Sequence, residues 1–336
     1  MKNINKLKLS IAMATYNGSR YISEQLQSLA NQTIKPYEIV ICDDCSKDNT
    51  VEIIENFKRS SGLNIKVFVN HKNLGVIKNF ERAISLTSGD IIFISDQDDY
   101  WFSNKLEAYV DAFEKNPDVD FVFSDLQISD KDLNPLSGSL FTPDQKNHPE
   151  KYVGSNLINT ISFVSMKIAA SGATIAFRSE ITSYIIPIPE IKQLLHDGWI
   201  GRIAASTSKC LLLPKPYSKY RQHCNNVDGY KGSLSNKIND IKNLYQFRQQ
   251  EYDFLNIVKE RLISLNFDNK SKIIDIISRK QFYLSKQILL YSQHRILRNT
   301  LLIFQYMLIG VFNKYYRGSR TFSKELLALL INNFKL

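Results

Sequence analysis

Three carboxylates fall within four residues at Asp96, Asp98 and Asp99, directly after the apolar run Ile91-Ile92-Phe93-Ile94. Packed that closely they repel unless protonated, hydrogen-bonded or bridged by a cation. Oxygen donors of this kind suit Mg²⁺ or Mn²⁺, which in turn hold a diphosphate by its oxygens. A solvated acidic turn, or a cap for a helix opening near Ser103, is the competing reading of the same residues. A second pair, Asp43 and Asp44, follows Glu38-Ile39-Val40-Ile41-Cys42 and is placed to accept hydrogen bonds from a base or ribose. Asp197, between His196 and Gly198-Trp199, can act as a general base toward a hydroxyl or simply cap a helix. Arg221 and His223, two apart on an extended segment, face one side and could both meet a diphosphate or its metal.

The elements that must position these groups follow a regular rhythm. Leu7 to Ala14 is an apolar run that ends in the turn residues Thr15-Tyr16-Asn17-Gly18. A helix over Tyr21 to Asn31 places Ile22, Leu26 and Leu29 on one face, and a strand follows at Glu38 to Cys42. The pattern continues as a helix over Thr50 to Ser60, a strand over Asn64 to Asn70, a helix over Asn79 to Leu86 and a strand over Asp90 to Ser95. Such alternation predicts βαβ units in a mostly parallel, doubly wound sheet, in which ligands bind beyond the carboxyl ends of the strands. Polar clusters stand at those ends: Thr15-Tyr16-Asn17, Asp43-Asp44, Asn73-Leu74-Gly75 and Asp96 to Asp99. Further on, the pattern predicts strands over Val119 to Ser124 and Gly172 to Phe177, a loop over Asp130 to Asn156, and a helix over Leu195 to Ala205.

The balance of 43% apolar and 23% charged residues is that of a folded protein, and the net charge of +10 favours an anionic partner without choosing one. Thr15-Tyr16-Asn17-Gly18 is neither a Gly-x-Gly-x-x-Gly fingerprint nor a Walker loop, which argues against a dinucleotide dehydrogenase and a P-loop NTPase. Cys42 and Cys45 have C-x-x-C spacing, but Cys42 lies in an apolar strand and Cys210 and Cys224 are not closely spaced; four reduced thiols are expected rather than a zinc site. No stretch reaches the about 18 uninterrupted apolar residues of a membrane span. Asn225 to Asn239, rich in Asn, Gly and Ser, reads as a linker into a helical region. From Ile276 to Lys324 that region has nine basic residues, no acidic one and interleaved aromatics, the pattern of an element lying on an anionic membrane surface. Ordinary core helices with a basic face are the bland alternative. No nucleic-acid motif accompanies the charge, so nucleic acid is not an expected partner.

With these residues in hand, the chain resembles the family-2 glycosyltransferases of the GT-A fold, particularly bacterial enzymes that build O-antigens, capsules and rhamnan polymers. The matching segments run from Ser10 to Gly18, Ile39 to Thr50, Asn73 to Gly75 with Asn79, Ser95 to Trp101, Ser171 to Thr174, His196 to Trp199, and Tyr220 to His223 with Asn226. The resemblance implies an α/β, Rossmann-like mostly parallel sheet flanked by helices over residues 1–230, with a C-terminal helical extension over 231–336. It also implies that Thr15, Tyr16 and Asn17 line the nucleotide pocket, that Asp44 contacts the base, and that Asn79 and Asp96 hold the nucleoside. Asp98 would be the principal ligand of Mn²⁺ or Mg²⁺, with Asp96 and His223 beside it. Asp197 would be the catalytic base, although the family's usual Glu-Asp pair is His196-Asp197 here.

The implied reaction is a single inverting displacement. The donor would be a nucleotide diphosphate sugar, either a UDP-hexose such as UDP-glucose or UDP-galactose, or dTDP-rhamnose. A polyprenyl-diphosphate-linked saccharide would accept, at the cytoplasmic face of the bacterial inner membrane or in the cytoplasm. A nucleotidyltransferase and a non-catalytic, membrane-associated nucleotide-binding scaffold are the competing readings.

Overall fold

The computed structural model describes residues 7–164, 170–191, 195–223, 226 and 244–292. The first half alternates as the spacing predicts: β1 (Leu9–Thr15), α1 (Ile22–Ala30), β2 (Glu38–Asp43), α2 (Thr50–Ser61), β3 (Ile65–Val69), α3 (Val76–Ser85) and β4 (Ile91–Ser95). Every residue of β1, β2 and β4 is buried, which is why these strands read as continuous apolar runs and not as an alternation. Ile22, Leu26 and Leu29 of α1 pack into the same core with Ile11, Ile39 and Ile54, each fully buried side chain adding about 1.5–3 kcal/mol. α2 ends at Gly62, whose φ of 70° is the left-handed stop favoured by glycine.

The second half contains β5 (Tyr100–Trp101), α4 (Lys105–Lys115), β6 (Phe121–Ser129), α5 (Pro143–Asn147), α6 (Asn156–Val164), β7 (Ile175–Arg178), α7 (Thr182–Ile185), α8 (His196–Thr207) and β8 (Cys210–Arg221). All eight strands form one sheet in the order β3-β2-β1-β4-β7-β6-β8-β5. Its β3-β2-β1-β4 half is parallel, and its other half is mixed, with β7 antiparallel to both β4 and β6. Two expectations are corrected. The stretch expected as a loop over 130–156 contains α5, closed by a Thr142–Gln145 capping box that proline-rich composition masked. The strand expected from Gly172 opens instead as a 3-10 turn over Gly172–Thr174 and becomes extended only at Ile175.

Register decides where the site falls. Thr15 pairs with Asp43, Asp43 with Val69, and Met13 with Ser95, so the carboxyl ends of the four parallel strands share one edge. Beneath that edge, at the opposite end of the sheet, Glu38 is wholly buried. It accepts hydrogen bonds from Ser10 Oγ at 2.7 Å, Ser88 N at 2.6 Å, Ser88 Oγ at 2.9 Å and Lys66 Nζ at 2.6 Å. Burial alone would raise this carboxyl; the four donors outweigh it and leave the group below its usual range.

The chain divides into two compact units, Met1–Val227 and Asp228–Leu336. In the second, helices Leu244–Ser264 and Lys270–Ser292 pack together around a buried ion cluster, Glu251 with Arg248 and Lys280, each at 3.0 Å. The expected linker, apart from Asn226, and the basic residues beyond 292 lie outside the described residues. Among the described residues no helix is long and apolar enough to cross a membrane. Cys42, Cys45 and Cys210 are free thiols, and Cys224 lies outside the described residues.

Candidate active site

The loop after β1 is held by side chains from other elements. Tyr16 N–H donates to Gln97 Oε1 at 2.9 Å, Asn17 N–H to Ser46 Oγ at 2.8 Å, Gly18 N–H to Thr50 Oγ1 at 2.8 Å and Ser19 N–H to Asp48 Oδ2 at 3.0 Å. Consecutive amides of this sort can form an anion nest when they are unoccupied. Here all four already have acceptors, so this loop does not offer them to a diphosphate. Thr15 is buried, its hydroxyl donating to Asp43 Oδ2 at 2.8 Å. Asn17 adopts a left-handed φ of 46° while its side chain accepts from Lys47 N–H at 2.8 Å. Tyr16 remains 47% exposed, its ring available to a flat ligand.

Asp44 and Asn79 form the inner wall. Asp44 Oδ1 accepts from Asn70 Nδ2 and Leu74 N–H, both at 2.7 Å, and Oδ2 accepts from Gly75 N–H at 2.8 Å. The carboxylate thus fixes the Asn73-Leu74-Gly75 turn, and one acceptor position remains on Oδ2. Asn79, expected against the nucleoside, is buried; its amide donates to Cys42 C=O at 2.8 Å and accepts from Asn70 at 3.0 Å. These bonds tie the ends of β2 and β3 to α3.

The acidic turn is tied to the end of β8. Asp98 Oδ2 lies 2.9 Å from His223 Nε2, and the ring of His223 stacks on Tyr21 with centroids 4.8 Å apart. Arg221, expected to reach a diphosphate, is instead 2% exposed. It donates to the Asp98 carbonyl at 2.8 Å, to the Lys131 carbonyl at 2.6 Å and to Glu24, and its guanidinium covers the Tyr21 ring at 4.4 Å. β8 ends at Arg221, so the two residues do not share one strand face: Arg221 becomes an internal brace, while His223 reaches Asp98.

Asp96 faces the opposite wall. Gly172 N–H donates to Asp197 Oδ2 at 3.0 Å, and a Cβ at Gly172 would stand 3.4 Å from Asp96 Oδ2 and 3.1 Å from His196 Nε2. Asp197, on the first turn of α8, also accepts from Gly198 N–H at 2.6 Å, leaving a further acceptor position on each oxygen. His196 is buried, stacks on Phe80 with centroids 3.8 Å apart, and has no hydrogen-bond partner on either ring nitrogen among the described residues. Burial keeps this imidazole below its usual value, against the pull of Asp197.

The electrostatics ask for positive charge. Burial first, then the charges of Asp98 and Asp197, push the Asp96 carboxyl up to about 8. Asp99, wholly buried and with no partner on Oδ2 among the described residues, is raised by burial first and then by the charges of Asp96 and Asp98. Besides Arg221, an internal cation is Lys105, fully buried at the start of α4, donating to Ala173 C=O at 2.6 Å with its ammonium 3.6 Å from the Trp101 ring centre. Burial lowers it to about 7 even though Asp99 and Asp96 pull it upward.

Among the described residues no three histidine, cysteine or acidic side chains converge as a complete metal cage. Of the expected trio of Asp96, Asp98 and His223, Asp98 and His223 touch, while Asp96 Oδ2 lies beside Gly172. One carboxylate and one imidazole suit a divalent ion that keeps its other positions for phosphate oxygens and water. Three features of this site were beyond sequence reasoning: Gly172, Lys105 and Gln97. Gly172 reads only as the start of a strand within the family-like segment Ser171 to Thr174, and Lys105 has only the signal of a helix start. Gln97 could be noticed only as the residue between two carboxylates.

The glycosyl transferase family 2 model matches residues 10–171. The chain is 31% identical to the dTDP-rhamnosyl transferase RfbG of Shigella flexneri over 229 residues, 65% of this chain and 73% of that protein. It is 32% identical to the UDP-Glc:alpha-D-GlcNAc-diphosphoundecaprenol beta-1,3-glucosyltransferase WfgD of Escherichia coli over 135 residues, 40% of this chain and 51% of that protein. The crystal structure of S. aureus TarS 1-349 in complex with UDP-GlcNAc is similar in fold, with a TM-score of 0.59 at 18% identity, covering 98% of this chain and 91% of that one. The alternating parallel half and the mixed extension are therefore those of the GT-A fold. The chain belongs to glycosyltransferase family 2.

Proposed function

We propose that this glycosyltransferase transfers a sugar with inversion from a pyrimidine nucleotide diphosphate donor to a hydroxyl of a lipid-linked saccharide in bacterial surface-polysaccharide synthesis. One observation carries the reading: over Gly172, Asp96 of the acidic turn faces Asp197 of α8, while Asp98 of the same turn touches His223. In this reading Asp197 is the base and the Asp98–His223 pair the leaving-group site, joined through Asp96 of the acidic turn, as a single displacement requires. Tyr16 presents its ring to the base, and Asp44 keeps one acceptor position for it. Asp197 receives the proton of the acceptor hydroxyl as that oxygen attacks the anomeric carbon. The Gly172 and Gly198 amides hold the carboxylate in place for that transfer. Asp98 and His223 would hold Mn²⁺ or Mg²⁺, which supplies positive charge to the departing nucleoside diphosphate. No covalent sugar–enzyme intermediate is needed, so one carboxylate base suffices.

RfbG, named for dTDP-rhamnose, and WfgD, named for UDP-glucose and a diphosphoundecaprenol acceptor, support a pyrimidine donor and a polyprenyl-diphosphate-linked acceptor. Such an acceptor favours work at the cytoplasmic face of the inner membrane, with the basic 231–336 region against anionic headgroups. The test is thermal denaturation with a panel of UDP- and dTDP-sugars, with and without Mn²⁺. A donor that raises Tm only with Mn²⁺ in the wild type, and no longer does so in Asp98→Asn, is the expected result. Equal stabilisation of both proteins would remove Asp98 from the leaving-group site.

A further inference from the structure

The side-chain amide of Gln97 closes a two-point clamp on the main chain of Tyr16. Oε1 accepts from Tyr16 N–H at 2.9 Å, and Nε2 donates to Tyr16 C=O at 3.0 Å. This is the pairing a neighbouring strand would make, yet it comes from a residue 81 positions away that lies between two carboxylates of the acidic turn. Gly18 is shaped to it. A Cβ there would stand 2.1 Å from Gln97 Oε1 and 2.5 Å from the amide carbon, so the space belongs to Gln97. Gly18 does not adopt a left-handed φ, which leaves that space, not backbone conformation, as the reason for glycine.

Resting on the nucleotide-sugar reading above, we propose that Gln97 is a positioning residue for recognition of the donor nucleotide. Carried on the acidic turn, it fixes the backbone from which Tyr16 presents its ring, and so holds the base end and the diphosphate end of the site in one register. Tyr16 needs that support because half of its side chain faces solvent and packing alone does not fix it. The clamp leaves Asp98, Asp197 and His223 untouched, so its loss is felt in donor binding and not in the chemical step.

The test titrates wild type, Gln97→Ala, Gly18→Ala and the double variant with UDP and with dTDP at saturating Mn²⁺ by calorimetry, then measures donor turnover. Each single substitution removes or displaces two hydrogen bonds and is expected to weaken nucleotide binding roughly tenfold. Donor KM rises to match, and kcat stays near wild type. The double variant binds like Gln97→Ala alone, since the added methyl at residue 18 then enters vacated space. Gln97→Met, which keeps the volume without the amide, repeats the loss and decides the matter if Gln97→Ala does not fold. Wild-type affinity in both Gln97 variants, a fall in kcat in place of KM, or multiplicative losses in the double variant would overturn the clamp alone. A wild type that binds neither nucleotide overturns the clamp together with the function it rests on.

Discussion

Gly172→Ala tests the assembly of the site with a single methyl group. Its carbon would lie 3.1 Å from His196 Nε2, 3.7 Å from His196 Cε1 and 3.4 Å from Asp96 Oδ2. Comfortable contact needs about 3.5–4.0 Å, so the oxygen is nearly tolerated and the imidazole is too close by a few tenths of an ångström. His196 has no room to retreat, because its ring lies flat on buried Phe80. The strain therefore moves the Gly172 main chain, whose N–H holds Asp197. Overpacking costs about 1–3 kcal/mol, and the stiffer unfolded chain returns about 0.4–1 kcal/mol. The net is roughly 1 kcal/mol, which lowers Tm by about 2–4 °C in a domain of this size. Catalysis suffers more. If a misplacement of about 1 Å costs about a hundredfold, a few tenths displace the base enough for roughly a tenfold loss in kcat. The assay is release of nucleoside diphosphate from the donor that wild type turns over, alongside thermal denaturation. Wild-type kcat together with wild-type Tm would refute the reasoning, since the methyl would then have met neither His196 nor Asp96.

Two further outcomes follow from the same geometry. Asp197→Asn keeps the shape of the side chain while removing its basicity, so turnover should fall by about 10²–10⁴-fold with Tm near wild type; a variant that retains turnover would show that another group takes the proton. Glu38 links stability to pH. Because folding lowers its carboxyl, its contribution is complete above the ordinary value of 4.5 and drains away as pH falls below it. Urea unfolding at pH 7 should show Glu38→Gln destabilised by about 2 kcal/mol, and the gap between variant and wild type should narrow below pH 4.5; a gap independent of pH would contradict the ionised form assigned to Glu38.

The parallel half was legible because fully buried strands leave an unmistakable trace: β1, β2 and β4 are apolar without alternation, and each is followed by polar residues that must lie at one edge. The mixed half left a weaker one. β8 carries Pro214, Pro216 and two lysines, and its long pairing with β6 is broken by register shifts, so neither period nor composition marks it fully. Side-chain assignments failed where a local rule met a distant neighbour. Lys105 has the sequence setting of an exposed helix residue and is wholly buried, because Ala173, 68 positions away, supplies its acceptor. Arg221 seemed destined for a phosphate until Glu24, 197 positions earlier, took its guanidinium. Residue spacing alone kept Asp98 and His223 apart; the family resemblance set them side by side, and the fold brings them into contact.

The occupied amides of the loop after β1 carry a consequence for how the reaction cycle opens and closes. A bare diphosphate arriving here would find no spare N–H on residues 16 to 19 and would face the carboxylates of Asp96 and Asp98. Its negative charge would be turned back unless it came already neutralised. Under the proposed function, ion and nucleotide would thus count as one visitor, entering as a chelate and leaving as a chelate, so that scarcity of either would starve the enzyme of both.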